Sequence, residues 1–228
     1  MPLRAKLLTE FAGSFFFMSV IALSGYAGPL APLAIGLALA AMVYMGGHVS
    51  GAHYNPAVSF ALLLRRVIDA RTMGFYWAAQ VIGGLIAFTV ADMISGHTPG
   101  LRPGAGASVL AALVAEVVFT AALATVVLNV AATRETAGNS FYGLAIGFTV
   151  SAGAFAVGPI SGAAFNPAVA IGATAVSAVA AHGSLAYLWI YLVGPLAGGA
   201  IGAGIHLLQA PAPPVKPERT ERLPPETR

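Results

Sequence analysis

Ser50-Gly51-Ala52-His53-Tyr54-Asn55-Pro56-Ala57-Val58 returns 111 residues further along the chain as Ser161-Gly162-Ala163-Ala164-Phe165-Asn166-Pro167-Ala168-Val169. The same displacement carries Ile35-Gly36 onto Ile146-Gly147, and Gln80-Val81-Ile82-Gly83 onto Tyr191-Leu192-Val193-Gly194. A spacing held over so long a stretch marks an internal duplication. A polar Asn-Pro step inside apolar sequence needs a physical reason, and this chain repeats the step in both halves.

The surroundings of the two steps are those of a membrane protein. Of the 228 residues, 58% are hydrophobic and 8% charged, and the mean hydropathy is +0.83. A soluble domain carries about a quarter charged residues, so this chain cannot cover a water-facing surface. It has no cysteine, which excludes a disulfide framework and a thiolate metal site. The pI of 9.5 reflects basic residues scattered around apolar spans. They form no patch with interleaved aromatics, so nucleic acid is not an expected partner. Arg4 and Lys6 ahead of an apolar run imitate a signal peptide, but Glu10 sits within that run and further spans follow. It reads as a first membrane helix.

Stretches long enough to cross a bilayer fall at 7–27, 31–50, 73–95, 106–132, 139–157 and 184–208. Two shorter ones, 55–65 and 166–178, each begin at an Asn-Pro and are expected to be half-helices that stop near the membrane midplane. With six spans, Arg4, Lys6, Arg65, Arg66, Arg71, Arg134 and the four basic residues of the tail share one side, and Arg102 lies on the other. That bias places both termini in the cytoplasm. Each repeat, roughly 1–105 and 106–208, holds an odd number of spans. The repeats are therefore inverted, and their half-helices enter from opposite faces. The predicted fold is an all-α membrane domain over 1–208, with six transmembrane helices and two re-entrant half-helices. Residues 209–228 read as a Pro-rich, charged, disordered cytoplasmic tail.

Proline is at home in the first turn of a helix, and asparagine just before it is a favoured N-cap. Asn55-Pro56-Ala57 and Asn166-Pro167-Ala168 should thus start the half-helices with their amides aimed at the place where the two N-termini meet. Each N-terminus carries about half a positive elementary charge, so two facing one point repel cations and protons. The Asn N–H donors would hold an uncharged molecule by its lone pairs. Gly51 and Gly162 fall where backbone must descend into the membrane without bulk. Bare carbonyls of these segments would line a water-filled path.

These residues, with Gly47-His48-Val49 ahead of the first copy, resemble the two signature loops of the aquaporin, or major intrinsic protein, family, and the likeness runs over residues 3–208. It implies a right-handed bundle with a pore in each subunit, a homotetramer and a bacterial-type member of the inner (plasma) membrane. Glu10 and Glu116, at matching places in the first helix of each repeat, are intramembrane carboxylates and hence functional candidates. Two at pseudo-symmetric sites suit loop support, by accepting backbone hydrogen bonds, better than a proton relay, and the resemblance implies the same. Gln80 is expected to bond near a half-helix rather than line the pore. Tyr76, Trp77, Tyr187 and Trp189 read as interfacial anchors. His48 and His53 are too few for a metal site. Loop bracing or the cytoplasmic pore mouth suits them better, with His48 the candidate for the mouth.

The likeness also locates a constriction. Water-selective members narrow the outer pore with an aromatic, a histidine, a loop residue and an arginine, and the corresponding positions here are Ile35, Ala154, Ala163 and Val169. Arginine, histidine and aromatic are all absent, leaving an apolar, roomier ring without a fixed charge. Valine at this place also occurs in some plant tonoplast members, which the resemblance links to water with urea or hydrogen peroxide. Ala170 stands where glycerol-conducting members carry an acid. The expected function is a passive, non-enzymatic channel for water and other small neutral solutes, working without a cofactor. The rivals are a facilitator dedicated to glycerol, urea, ammonia or peroxide, a coupled secondary transporter, and a non-conducting structural membrane protein.

Overall fold

A computed structural model of the chain describes residues 1–98, 100–180 and 183–209. Among the described residues there are eight α-helices: α1 (Leu3–Leu23), α2 (Ala31–Ser50), α3 (Pro56–Leu64), α4 (Ala70–Ser95), α5 (Val109–Val127), α6 (Tyr142–Ser161), α7 (Pro167–Ala180) and α8 (Leu188–Gln209). No β-strand occurs among the described residues. Six helices have 19 to 26 residues, enough at 1.5 Å per residue to span the hydrocarbon. α3 and α7, with 9 and 14 residues, are the short ones. The protein is thus a multi-pass membrane protein with the six-plus-two arrangement expected of the sequence. The tail expectation for 209–228 falls outside the described residues, apart from Gln209, which closes α8.

Local chemistry sets the boundaries. Asp69 caps α4 by accepting from Thr72 N (2.7 Å), and Ser108 caps α5 by accepting from Ala111 N (3.1 Å). Gly51 (φ 93°) and Gly162 (φ 89°) end α2 and α6 in the left-handed conformation that glycine adopts without strain. The first span is displaced from expectation at both ends. α1 begins at Leu3, because a helix carries Arg4 and Lys6 outward beyond the apolar stretch. It stops at Leu23, where a 3₁₀ segment (Ser24–Leu30) containing Gly28 and Pro29 turns the chain into α2.

α1 lies along α4, α5 along α8, and α2 crosses α6. Glycine permits each approach. A Cβ on Gly36 would overlap the carbonyl oxygen of Gly147, and one on Gly147 that of Gly36. Gly83 sits against Phe11 O, and Gly198 against Val117 O. Without a hydrophobic force between helices in lipid, such close packing supplies much of the association.

The symmetry corrects one detail of the repeat. Glu116 matches Glu10, 106 residues on, whereas Tyr191, Gly198 and Gly199 match Tyr76, Gly83 and Gly84, 115 residues on. Only the loop motifs and the α2/α6 pair keep 111. The gap-free pairing of Gln80 with Tyr191 is therefore wrong. Connections of unequal length separate the elements, and a second glycine at 194 disguised the slip.

Candidate functional site

Between α2 and α3, and again between α6 and α7, the backbone leaves helical geometry and runs to the middle of the bundle. Ala52 (φ 53°) and Tyr54 (φ 48°) are left-handed, as are Ala163 (φ 51°) and Phe165 (φ 48°). Non-glycine residues resist this conformation by about 1–2 kcal/mol each, so something must hold them. Two buried glutamates do. Glu10 Oε1 accepts from Ser50 Oγ (2.6 Å) and His53 N (3.0 Å), and its Oε2 accepts from Tyr54 N (2.8 Å) and Gln80 Nε2 (2.8 Å). Glu116 Oε1 accepts from Ser161 Oγ (2.8 Å) and Ala164 N (3.0 Å), and Oε2 from Phe165 N (2.7 Å). Hydrogen bonds to a charged acceptor are worth about 1.5–3 kcal/mol each, so either set exceeds the local strain.

Tyrosines clamp the same turns from outside. Tyr76 Oη donates to Ser50 O (2.8 Å) and Tyr191 Oη to Ser161 O (2.5 Å). Tyr76 is fully buried, and Trp77 Nε1 donates to Pro56 O (3.0 Å), which corrects the reading of both as interfacial anchors. Gln80 Nε2 also reaches Ser59 Oγ on α3 (3.1 Å), as expected of a residue that bonds near the half-helix.

With the backbone N–H groups drawn to the glutamates, the carbonyls of Ala52, His53, Ala163 and Ala164 receive no hydrogen bond among the described residues. All four residues line a single cavity of about 380 Å³. Asn55 and Asn166 stand at its middle. Asn55 Oδ1 accepts from Ala57 N (2.9 Å) and caps α3, while Asn166 Oδ1 accepts from Ala168 N (2.9 Å) and caps α7. Each amide nitrogen crosses to the other loop, Asn55 Nδ2 to Phe165 O (2.8 Å) and Asn166 Nδ2 to Tyr54 O (2.9 Å). This reciprocal tie was not expected of the sequence. A primary amide has two N–H donors, so one on each Asn stays available to the lumen.

Ile35 on α2, Ala154 on α6, Ala163 in the loop that follows and Val169 on α7 all line this cavity. So does His53, whose Nδ1 pairs with Ser59 Oγ (2.9 Å) and whose other ring nitrogen is left for the lumen. His48 is different. It is exposed on the last turn of α2 and is not among the residues that line this cavity. α2 turns it outward, and five residues later the loop turns His53 inward. No cluster of three or more metal-ligating side chains occurs among the described residues. Sequence reading also missed Arg102, which lines the cavity from the α4–α5 loop and gave no signal beyond its isolation on the opposite side from the other basic residues.

Six crossing helices, two half-helices meeting N-terminus to N-terminus and a lumen between them define a membrane channel. The pattern of the family described as "Major intrinsic protein" matches residues 3–206. Aquaporin NIP1-1 of Oryza sativa subsp. japonica is 41% identical over 172 residues, which cover 74% of this chain and 58% of that protein. Aquaporin TIP2-3 of Arabidopsis thaliana is 35% identical over 213 residues, covering 89% of this chain and 82% of that one. Among solved structures, the aquaglyceroporin from Plasmodium falciparum superposes with a TM-score of 0.78 at 21% identity, covering 90% of this chain and 96% of that one. The chain belongs to the major intrinsic protein family. It is a passive channel of the class that carries water and small solutes, and not an enzyme.

Proposed function

We propose that this channel conducts water together with larger uncharged solutes, that residues 1–208 form its two-repeat channel domain, and that it works as a homotetramer in a plasma membrane with both termini cytoplasmic. The observation that carries the solute reading is that Ile35, Ala154, Ala163 and Val169 all line the lumen while none of their side chains offers a hydrogen bond or a charge.

In this reading a permeant enters past the apolar ring and meets the free N–H of Asn55 and Asn166. Accepting both donors turns its lone pairs to the centre, while the carbonyls of Ala52, His53, Ala163 and Ala164 take its hydrogens above and below. A chain of waters is thereby broken in orientation at the midplane. The positive ends of α3 and α7 face that point and raise the energy of any cation or proton there. Glu10 and Glu116 hold the loops, and neither is among the residues that line the lumen. A coupled transporter with carboxylates as its ion-binding groups would need them within the path. The excess of basic residues on one face supports cytoplasmic termini, and tagged protein is expected to localise to the plasma membrane.

Reconstituted protein tests the proposal by osmotic swelling with an impermeant sugar, glycerol and urea. Water flux well above empty vesicles, with measurable entry of at least one of the two solutes, is expected. Val169→Arg combined with Ala154→His should then lower solute permeability more than water permeability, because it places donors and bulk in the ring. Equal loss of both would put the narrowest point elsewhere.

A further inference from the structure

The missing arginine of the ring has a counterpart from another part of the chain. The loop joining α4 to α5 folds over the end of the lumen and places Leu101 and Arg102 in its lining. It is pinned there. Gly104 N donates to Ile160 O on the last turn of α6 (2.9 Å), and a Cβ on Gly104 would overlap the Pro159 carbonyl oxygen, so backbone lies directly on backbone. Leu101 Cδ2 stands 3.0 Å from where a Cβ of Gly162 would be, next to ring residue Ala163. Ala107 N then donates to Gly104 O (2.9 Å), turning the chain into the Ser108 cap of α5.

Arg102 is solvent-exposed at this mouth and, among the described lining residues, is the one permanent charge. None of those residues is acidic, so nothing in the lining neutralises it. A guanidinium is charged at every physiological pH and presents five donors in a rigid fork. Beside a lumen whose ring is apolar, it offers an incoming solute a charged donor group, and its field acts along a low-dielectric bore.

We propose that Arg102 is a specificity-determining residue, supplying from the α4–α5 loop the cationic donor group that Val169 does not supply from the ring. The proposal rests on the channel reading above. It makes discrimination between water and polyols a two-part function, with width set by the ring and charge set by the loop.

The chain has no cysteine, so Arg102→Cys in the full-length protein gives a single addressable thiol. In proteoliposomes this variant should raise the glycerol-to-water permeability ratio by about two-fold or more over wild type, since a lost donor and a lost obstruction both favour the larger solute. A thiol reagent carrying a trimethylammonium group should return the ratio towards wild type, and a neutral reagent of the same length should do so less. Val169→Arg introduced beside Arg102→Cys should also restore discrimination. A ratio within two-fold of wild type overturns the proposal, as does equal restoration by the neutral reagent, which would mean bulk rather than charge. Wild-type water flux, measured alongside, reports separately on the channel reading. If it matches empty vesicles, the channel reading fails and not Arg102 alone. Should Arg102→Cys not yield folded protein, Gly104→Ala provides the second variant. Its Cβ lifts the loop from Pro159, and an unchanged ratio there equally overturns the proposal.

Discussion

Replacing Glu116 by Gln tests the physical core of the loop geometry. The three groups that reach Glu116 (Ser161 Oγ, Ala164 N and Phe165 N) are all donors to its two oxygens in a fully buried site. A glutamine keeps the shape. Its best arrangement leaves the amide oxygen on Ser161 and Ala164 and turns the NH₂ towards Phe165 N, setting donor against donor. One charge-assisted bond of about 1.5–3 kcal/mol is lost, and a buried N–H without an acceptor adds about 1–3 kcal/mol. Relaxation of the loop recovers part of this, so a net loss of about 3 kcal/mol is expected. For a chain of this size that corresponds to a fall in melting temperature of about 6–12 °C. Tryptophan fluorescence or aggregation-coupled chromatography of purified protein in detergent reads it directly. Water permeability should fall as well, because Phe165 O is the acceptor that holds Asn55. A melting temperature within about 2 °C of wild type, with unchanged flux, would refute the reasoning. It would mean that Glu116 is a neutral acid in the native protein and would reopen a protonatable role for it.

Gly198→Ala would set a Cβ 2.5 Å from Val117 O and 2.8 Å from Thr120 Cβ at the α5–α8 crossing. Overpacking against backbone costs about 1–3 kcal/mol, seen as a melting temperature lower by about 2–12 °C. Asp69 offers a pH test outside the membrane, since the hydrogen bonds from Thr72 hold its carboxyl below the ordinary value of 3.8. A lowered folded pKa means that the cap is whole above that value and is lost as pH falls through the lowered one. Protection of the Thr72 amide from hydrogen exchange should therefore persist at about pH 5 and decline at about pH 2, and Asp69→Asn should flatten that dependence. A wild-type profile as flat as that of the variant would contradict the cap.

Much of the site was legible because the chemistry at each motif is local. Asn followed by Pro specifies a capped helix start, and its repetition after an odd number of spans specifies inversion. Glu10 and Glu116 were readable as loop supports because an apolar helix has few uses for a carboxylate. The four residues proposed for the ring were reached by counting from the motifs, and all four line the lumen because α2, α6 and the loops keep one displacement. Counting failed at Gln80 and Tyr191, where unequal connections shift α4 and α8 into another register. Residue type misled at Tyr76, whose amphipathic ring reads alike whether its hydroxyl meets lipid headgroups or the carbonyl of Ser50.

The sequence alone determined the membrane class, the six-plus-two helices, the inverted repeat and the place of the two Asn residues, since these depend on hydropathy, span parity and caps within a few residues. Tertiary structure decided what depends on pairing distant segments. The two Asn amides are tied to each other's loops across 110 and 112 residues. His48 turns outward although His53, five residues on, turns inward. Arg102 reaches the lumen because Gly104 seats its loop on α6. No local pattern encodes such approaches, because each is fixed by the shape of a surface that exists only once the helices have packed.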